Sequence, residues 1–360
     1  MSGMSGVRRP RGAGHSRVTL REVAERAGVG QMTASRALRE PEKVSPELRA
    51  RVLEAVQALG YVANRVASGL ASGTSKVVPV IVPTLTHAVY VPFLHGANEV
   101  LGRHGYQVLL ATTEYEEGAE ASLVDTLLGW YPAGLMVAGV DHLPHTAERL
   151  RRAAAEGLPV VEFMDLVETP IDINVGFSHR AVGEAVAHWF ADRGHRRVAY
   201  AGTLAATDLR SARRAEGFLA VARARGLAPL DLRSEAPFSI GLGSQLLAQL
   251  LQREPALDAV FMANDDLAMG AVLEAQRRGV QVGAQLAVMG FNDLEIAAAM
   301  RPAISSVAVD QAGMGRRAAQ LLLERRAGRH VHPLRVDTGF RIVERESTRP
   351  VPGFCPGGKE

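Results

Sequence analysis

Three short stretches near the start of the chain repeat apolar residues at helical spacing, and from Val77 onward compact apolar blocks alternate with amphipathic segments. Leu20, Val23, Ala24 and Ala27 fall at i, i+3, i+4 and i+7, one stripe that stops at Gly28. Thr19 and Glu22 stand at capping-box spacing in front of it, where each side chain can satisfy the other's backbone amide. After the turn Gly28-Val29-Gly30, a second helix from about Gln31 to Arg39 turns Ala34, Ala37 and Leu38 inward. Gln31, Met32, Ser35, Arg36 and Arg39 are left outward. Ser45 as N-cap and Pro46 at the first helical position open a third helix carrying Leu48, Val52, Val56 and Leu59, closed by Gly60. Two helices joined by a glycine turn, the second with an exposed polar face, predict a helix-turn-helix whose second helix fits a DNA major groove.

The rest reads as strand alternating with helix. VVPVIV, YQVLLA, GLMVA and LPVVEFM make one set, and INVGF, RVAYAG, DAVFMA and QLAVMGF a second, with helical periodicity between them. The order predicts two parallel sheets. In such α/β folds ligands sit beyond the carboxyl ends of the strands, so two facing lobes make a shared cleft.

Composition excludes several classes. The 360 residues are 47% apolar and 22% charged, which fits a globular chain and not a disordered or collagen-like one. No run approaches the roughly 18 apolar residues of a membrane span, and the basic start lacks an apolar signal core, so neither insertion nor export is expected. The single cysteine, Cys355, allows no internal disulfide or cysteine metal site, so a reducing cytoplasm is expected, with no metal or cofactor. Charge is uneven: residues 1–76 hold 13 Arg/Lys against 6 Glu, +7, whereas residues 77–360 hold 28 against 32, −4. Such asymmetry points to a polyanion at the front end.

The stretch VTLREVAERAGVGQMTASRALREPEKVSPELRARVLEAVQALGYVANRVASGLA resembles the headpiece of the lactose-repressor (LacI/GalR) family. The resemblance implies that Gln31, Met32 and Arg36 read base edges and that Thr33, Ser35 and Ser45 touch phosphates; Thr19 and Arg39 join them as DNA-binding candidates. An arginine at 36 can donate twice to a guanine. Gly30 departs from the family's usual capping serine. Asn64, Arg65, Ala67 and Leu70 resemble the family's hinge helix, which pairs with its twin and wedges its leucine into the minor groove. So short a segment, containing Gly69, is expected to order only on DNA.

The resemblance extends to about residue 348 and implies an α/β fold. A three-helix headpiece and hinge precede two doubly wound parallel-sheet lobes of the periplasmic-binding-protein type. The expected division is a flexible extension (1–17), headpiece (18–62), hinge and linker (63–76), two-lobed effector-binding and dimerisation domain (77–348) and flexible tail (349–360). The N-lobe would take about 77–173 and 304–332, and the C-lobe 174–303 and 333–348, with crossings near Ile173, Ala303 and Pro333.

Loops after strands supply the cleft candidates. The family implies effector contacts at the positions of Asp165, Arg214, Asn264 and Asn292, with Phe238 stacking on the ligand; Asp265 could equally cap a helix. Asn292 replaces an aspartate of lactose-type members, which lowers negative charge and, with Arg214 as a two-pronged partner, suits an anion. The wording around PTLTHAVYVPFLHGANEV and VVEFMDLVETPIDINVGFSHR resembles the gluconate-repressor branch, with His87, and more weakly His142 and His145, as further donors. The expected protein is therefore a homodimeric repressor that binds pseudo-palindromic operator DNA under control of gluconate or a related sugar acid. It would lack membrane association and a tetramer-forming tail. A neutral sugar or purine co-repressor is the nearer alternative, and a solute-binding or sugar-processing protein without DNA function the more distant one. No GxGxxG follows a strand, and no phosphate loop, GxSxG or HExxH occurs, so catalysis has no seat.

Overall fold

The computed structural model describes residues 18–62, 75–85, 88–116, 118–204, 208–329 and 334–348. The chain divides into two units, Met1–Ser72 and Gly73–Glu360.

The first unit contains α1 (Leu20–Ala27), α2 (Gln31–Arg39) and α3 (Pro46–Leu59). Small residues let the helices approach closely: Val23, Ala24, Ala27, Ala34, Ala37, Val52 and Ala55 form the buried core. Both ends of the capping box at Thr19 and Glu22 are made, and Gly28 ends α1 in the left-handed region, φ 61°. One tie was not legible in the apolar pattern. Arg51 of α3 donates to the carbonyls of Ala27 at 2.5 Å and Gly28 at 3.3 Å, pinning the free end of α1 and the turn into α2.

The second unit holds two six-stranded sheets. The first contains β1 (Val77–Val82), β2 (Gln107–Thr112), β3 (Leu135–Ala138), β4 (Val160–Phe163), β5 (Ile173–Gly176) and β11 (Arg335–Asp337), in the order β11-β5-β4-β3-β1-β2 and parallel throughout. The second contains β6 (Val198–Thr203), β7 (Leu230–Ser234), β8 (Ala259–Met262), β9 (Ala287–Asn292), β10 (Ser305–Ala308) and β12 (Arg341–Val343), in the order β12-β10-β9-β8-β6-β7. There β12 runs antiparallel to β10, and the other pairs are parallel.

The expected lobe limits move at three places. Ile173–Gly176 pairs with β4 and belongs to the first sheet instead of beginning the second. Ser305–Ala308 pairs with β9 in the second sheet, although this stretch was expected in the N-lobe. Arg335–Asp337 returns to β5 in the first sheet. The chain thus passes between lobes after Gly176, after Ala308 and after Asp337, a few residues beyond the expected Ile173 and Ala303; Pro333 lies outside the described residues. Burial periodicity reports how apolar a strand must be, not which neighbour it takes, so the pattern could not fix these ends.

Helices cover the sheets in closely packed pairs. In the N-lobe, α4 (Tyr90–Arg103) lies against α12 (Gln311–Arg326), with α5 (Ala119–Leu128) and α6 (Pro144–Ala155) packed on each other. In the C-lobe, α7 (His179–Asp192) packs on α8 (Leu209–Ala224), and α9 (Ile240–Arg253) on α10 (Asp265–Arg277); α11 (Glu295–Ala299) is a short piece before β10. Glycines set the α7–α8 distance. A Cβ on Gly183 would fall 1.9 Å from the Arg214 carbonyl oxygen, and one on Gly217 would fall 2.1 Å from that of Arg180.

Candidate DNA interface and effector pocket

On α2, Gln31, Met32, Arg36 and Arg39 are exposed while Thr33 and Ser35 are half-buried. Met32 is 73% exposed, an unusual place for a thioether and a suitable one for a thymine methyl. Among the described residues neither Arg36 nor Arg39 is held in an ion pair, so their guanidiniums are available to a ligand. The N-terminus of α2 has no side-chain cap at Gly30, which leaves its first amides open to a phosphate. Thr19 and Ser45 are engaged as N-caps, accepting from the amides of Glu22 and Leu48, each at 3.4 Å. Asn64, Arg65, Ala67 and Leu70 lie outside the described residues.

Between the two sheets of the second unit lies a pocket of about 640 Å³, open solvent included. Tyr90, Tyr115 and Met164 reach it from the N-lobe; Asp208, Arg210, Arg214, Asn264 and Asn292 reach it from the C-lobe, with Phe238 and Phe291 as apolar walls. Three of these sit in the left-handed region: Tyr115 (φ 59°), Met164 (φ 70°) and Asn292 (φ 108°). Backbone of this kind costs of order 1–3 kcal/mol per residue and persists where the surroundings impose it, as at ligand clamps.

The C-lobe wall is cationic and held from behind. Arg214 is 5% exposed; it donates to His179 Nδ1 at 2.7 Å and to the Ala263 carbonyl at 3.0 Å, and its guanidinium lies 4.2 Å from the Phe291 ring centre. Its Nε has no hydrogen-bond partner among the described residues. His179 meets the Met164 carbonyl through Nε2 at 2.9 Å. Burial, reinforced by the charge of Arg214, holds His179 well below its usual pKa, so the ring is neutral. Below this wall Asp265 is fully buried. Its carboxylate accepts from the Ser306 hydroxyl and the Leu294 amide, both at 2.7 Å, and so anchors the loop that presents Asn292. Burial pushes Asp265 up to about 7 against those two bonds.

Of the expected effector contacts, Arg214, Phe238, Asn264 and Asn292 line the pocket, and His87 lies outside the described residues. Asn264 is also the N-cap of α10, its side-chain oxygen accepting from the Leu267 amide at 2.9 Å, so Asp265 is not the cap. Asp165 departs from the expectation. It is 2% exposed, does not line the pocket, and its carboxylate is taken by Arg213. His142 is likewise absent from the lining, wedged between Glu120 and Glu162, while His145 is exposed and outside the lining.

Residues 19–64 match the model for bacterial regulatory proteins of the lacI family, and residues 187–348 match that for a periplasmic binding protein-like domain. The HTH-type transcriptional regulator GntR of Pseudomonas aeruginosa is 42% identical over 335 residues, spanning 92% of this chain and 96% of that protein. This chain belongs to the LacI family. GntR of Escherichia coli K12 is 37% identical, over 91% of this chain and 97% of that protein. Among solved structures, a LacI-family transcriptional regulator from Silicibacter pomeroyi superposes with a TM-score of 0.86 at 32% identity, covering 92% of this chain and 99% of the other. A lac repressor dimer bound to operator and an anti-inducer superposes with a TM-score of 0.79 at 25% identity, covering 93% and 100%.

As a LacI-family member, the chain is a DNA-binding transcriptional regulator and not an enzyme. Sequence reasoning missed His179, Arg210, Tyr90 and Tyr115 as pocket residues. Two of these carried a signal: His179 begins the helix that follows a strand, and Arg210 stands one turn before Arg214 on α8.

Proposed function

We propose that this protein is a homodimeric repressor that reads a pseudo-palindromic operator and responds to a sugar acid of the gluconate type. The observation that carries the ligand class is Arg214. A guanidinium buried in an open pocket, meeting a neutral imidazole and a carbonyl but no carboxylate among the described residues, is a cation in want of an anion. Asn264, Asn292, Asp208 and the two tyrosines provide the mixed donors and acceptors that hydroxyl groups need. The relatives named GntR and the gluconate-branch wording accord with this reading.

The test is operator binding by fluorescence anisotropy on a duplex selected by the protein itself, titrated with gluconate, 6-phosphogluconate and glucose. Either acid should shift the binding curve and glucose should not, and Arg214→Met should abolish the shift while retaining DNA binding. A shift with glucose alone, or none with either acid, overturns the sugar-acid assignment.

A further inference from the structure

We propose that Arg213 is an interlobe clamp that sets how far the lobes close before any effector arrives. Arg213 lies on α8 of the C-lobe and does not line the pocket. Its guanidinium reaches across to two N-lobe carboxylates, on the loops that follow β3 and β4. It forms a two-pronged pair with Asp141, Nη1 to Oδ2 at 2.8 Å and Nη2 to Oδ1, and Nη1 also donates to Asp165 Oδ2.

Both carboxylates are fixed to the N-lobe. Asp165 accepts from the Leu166 amide at 2.8 Å through its other oxygen, and its own carbonyl accepts from Asn174 Nδ2 at 2.9 Å on β5. Asp141 is followed directly by His142, whose imidazole lies 2.7 Å from Glu120 and 3.4 Å from Glu162. Burial opposes a charge on that ring, but the two glutamates outweigh it and raise His142 to about 9, which keeps this tie ionic at neutral pH. The weakest joint is therefore the cation itself. Arg213 and Asp141 are each about one-third exposed, whereas Asp165 is buried. If Arg213 is removed, both carboxylates lose the cation that pairs them, with only the charge of Arg210 still acting on Asp165, and the buried one favours an opening that lets water reach it.

The pocket is walled by these same two lobes, and Arg214, the next residue on the helix, is its central cation. Closing the clamp and closing the pocket are thus one motion. A ligand held between the lobes binds with an apparent dissociation constant equal to the intrinsic one divided by the closed fraction. The clamp would raise that fraction without touching ligand, and by linkage would bias the DNA-bound state in the same direction as the effector does. The affinity consequence rests on the sugar-acid reading; the closure consequence does not.

The experiment compares the full-length protein with R213M, which keeps the aliphatic stem, R213K, and D141N at the exposed partner. The readouts are small-angle X-ray scattering and amide hydrogen exchange over residues 139–142 and 165–167 without ligand, then a gluconate titration. R213M should increase the radius of gyration and speed exchange in both loops, with R213K and D141N intermediate. Its apparent gluconate dissociation constant should rise about tenfold, as expected if one-tenth of molecules remain closed, and saturating gluconate should restore the wild-type scattering profile. Wild-type scattering and exchange in R213M and D141N overturn the clamp whatever the effector is. Open scattering in R213M together with a wild type that ignores gluconate supports the clamp and overturns the sugar-acid reading instead.

Discussion

His179 and Arg214 are joined by a hydrogen bond whose direction is fixed by a third group. The Met164 carbonyl can only accept, so His179 Nε2 carries the proton and Nδ1 is left as the acceptor for Arg214. A neutral imidazole thereby connects an N-lobe carbonyl to the C-lobe cation. His179→Ala would strip the acceptor from a buried guanidinium and the donor from a buried carbonyl, each costing about 1–3 kcal/mol. Urea unfolding should show that loss, and isothermal titration should show weaker gluconate binding; unchanged values in both would mean that Arg214 is held without the imidazole.

The same ring gives a pH dependence with a definite sign. His179 is pinned neutral when folded, while the unfolded chain protonates it near 6.5. Below that pH the unfolded state binds the extra proton, so stability falls as pH drops, by up to about 1.4 kcal/mol per unit. Asp265 acts on the other side. Its carboxyl, pushed up to about 7, stays protonated in the native state over a range where the unfolded chain has lost the proton, so it reduces stability as pH rises from about 4 to 7. Asp265→Asn can still accept from the Leu294 amide and donate to the Ser306 hydroxyl. The variant should therefore gain on the wild type between pH 5 and pH 8. A stability difference independent of pH over that interval would show that Asp265 titrates normally.

The exposed face of α2 makes two separable predictions for DNA binding. Arg36→Ala should cost about 1–3 kcal/mol at one base pair and relax preference there, because a bidentate donor to guanine is lost. Arg39→Ala should weaken all sequences alike and reduce the slope of log affinity against log salt by about one, the signature of a lost phosphate contact. Anisotropy titrations at several salt concentrations, on the selected duplex and on single-base variants of it, distinguish the two. If Arg36→Ala behaves like Arg39→Ala, Arg36 is a phosphate contact and not a base reader.

Local rules made the headpiece readable: capping at Thr19 and Ser45, glycine stops at positions 28 and 60, and a stripe of small apolar residues each act within a few positions. The lobes were readable as alternation but not in their limits, because parallel pairing of β5, β10 and β11 is decided by neighbours over a hundred residues away in some cases. Of the positions the family resemblance implies as effector contacts, Arg214 and Asn264 lie in the pocket lining and Asp165 does not. Nothing in the residues around a carboxylate that follows β4 signals that the arginine next to Arg214 pairs with it. Arg51 escaped for a similar reason, since a cation on a solvated helix face gives no sign that its tip will cap another helix.

The seat of α8 is the most stringent constraint on both pocket and clamp, because Arg210, Arg213 and Arg214 all ride on it. Gly217 faces the Arg180 carbonyl of α7 so closely that an added methyl would come within 2.1 Å of it, and the obstacle is backbone, not the movable tip of a side chain. Gly217→Ala must push α8 off α7, at a cost of about 1–3 kcal/mol for overpacking, and must displace the three arginines with it. Gly241 near the start of α9 is the matched control: its nearest neighbour to an added Cβ is Ser239 Oγ at 3.9 Å, so Gly241→Ala should leave stability equal or slightly raised. Urea midpoints and gluconate affinity should fall together in Gly217→Ala and stay put in Gly241→Ala. Lowered stability with unchanged gluconate affinity would mean that the arginines keep their places when the helix moves, and that the pocket is built more from the loops than from α8.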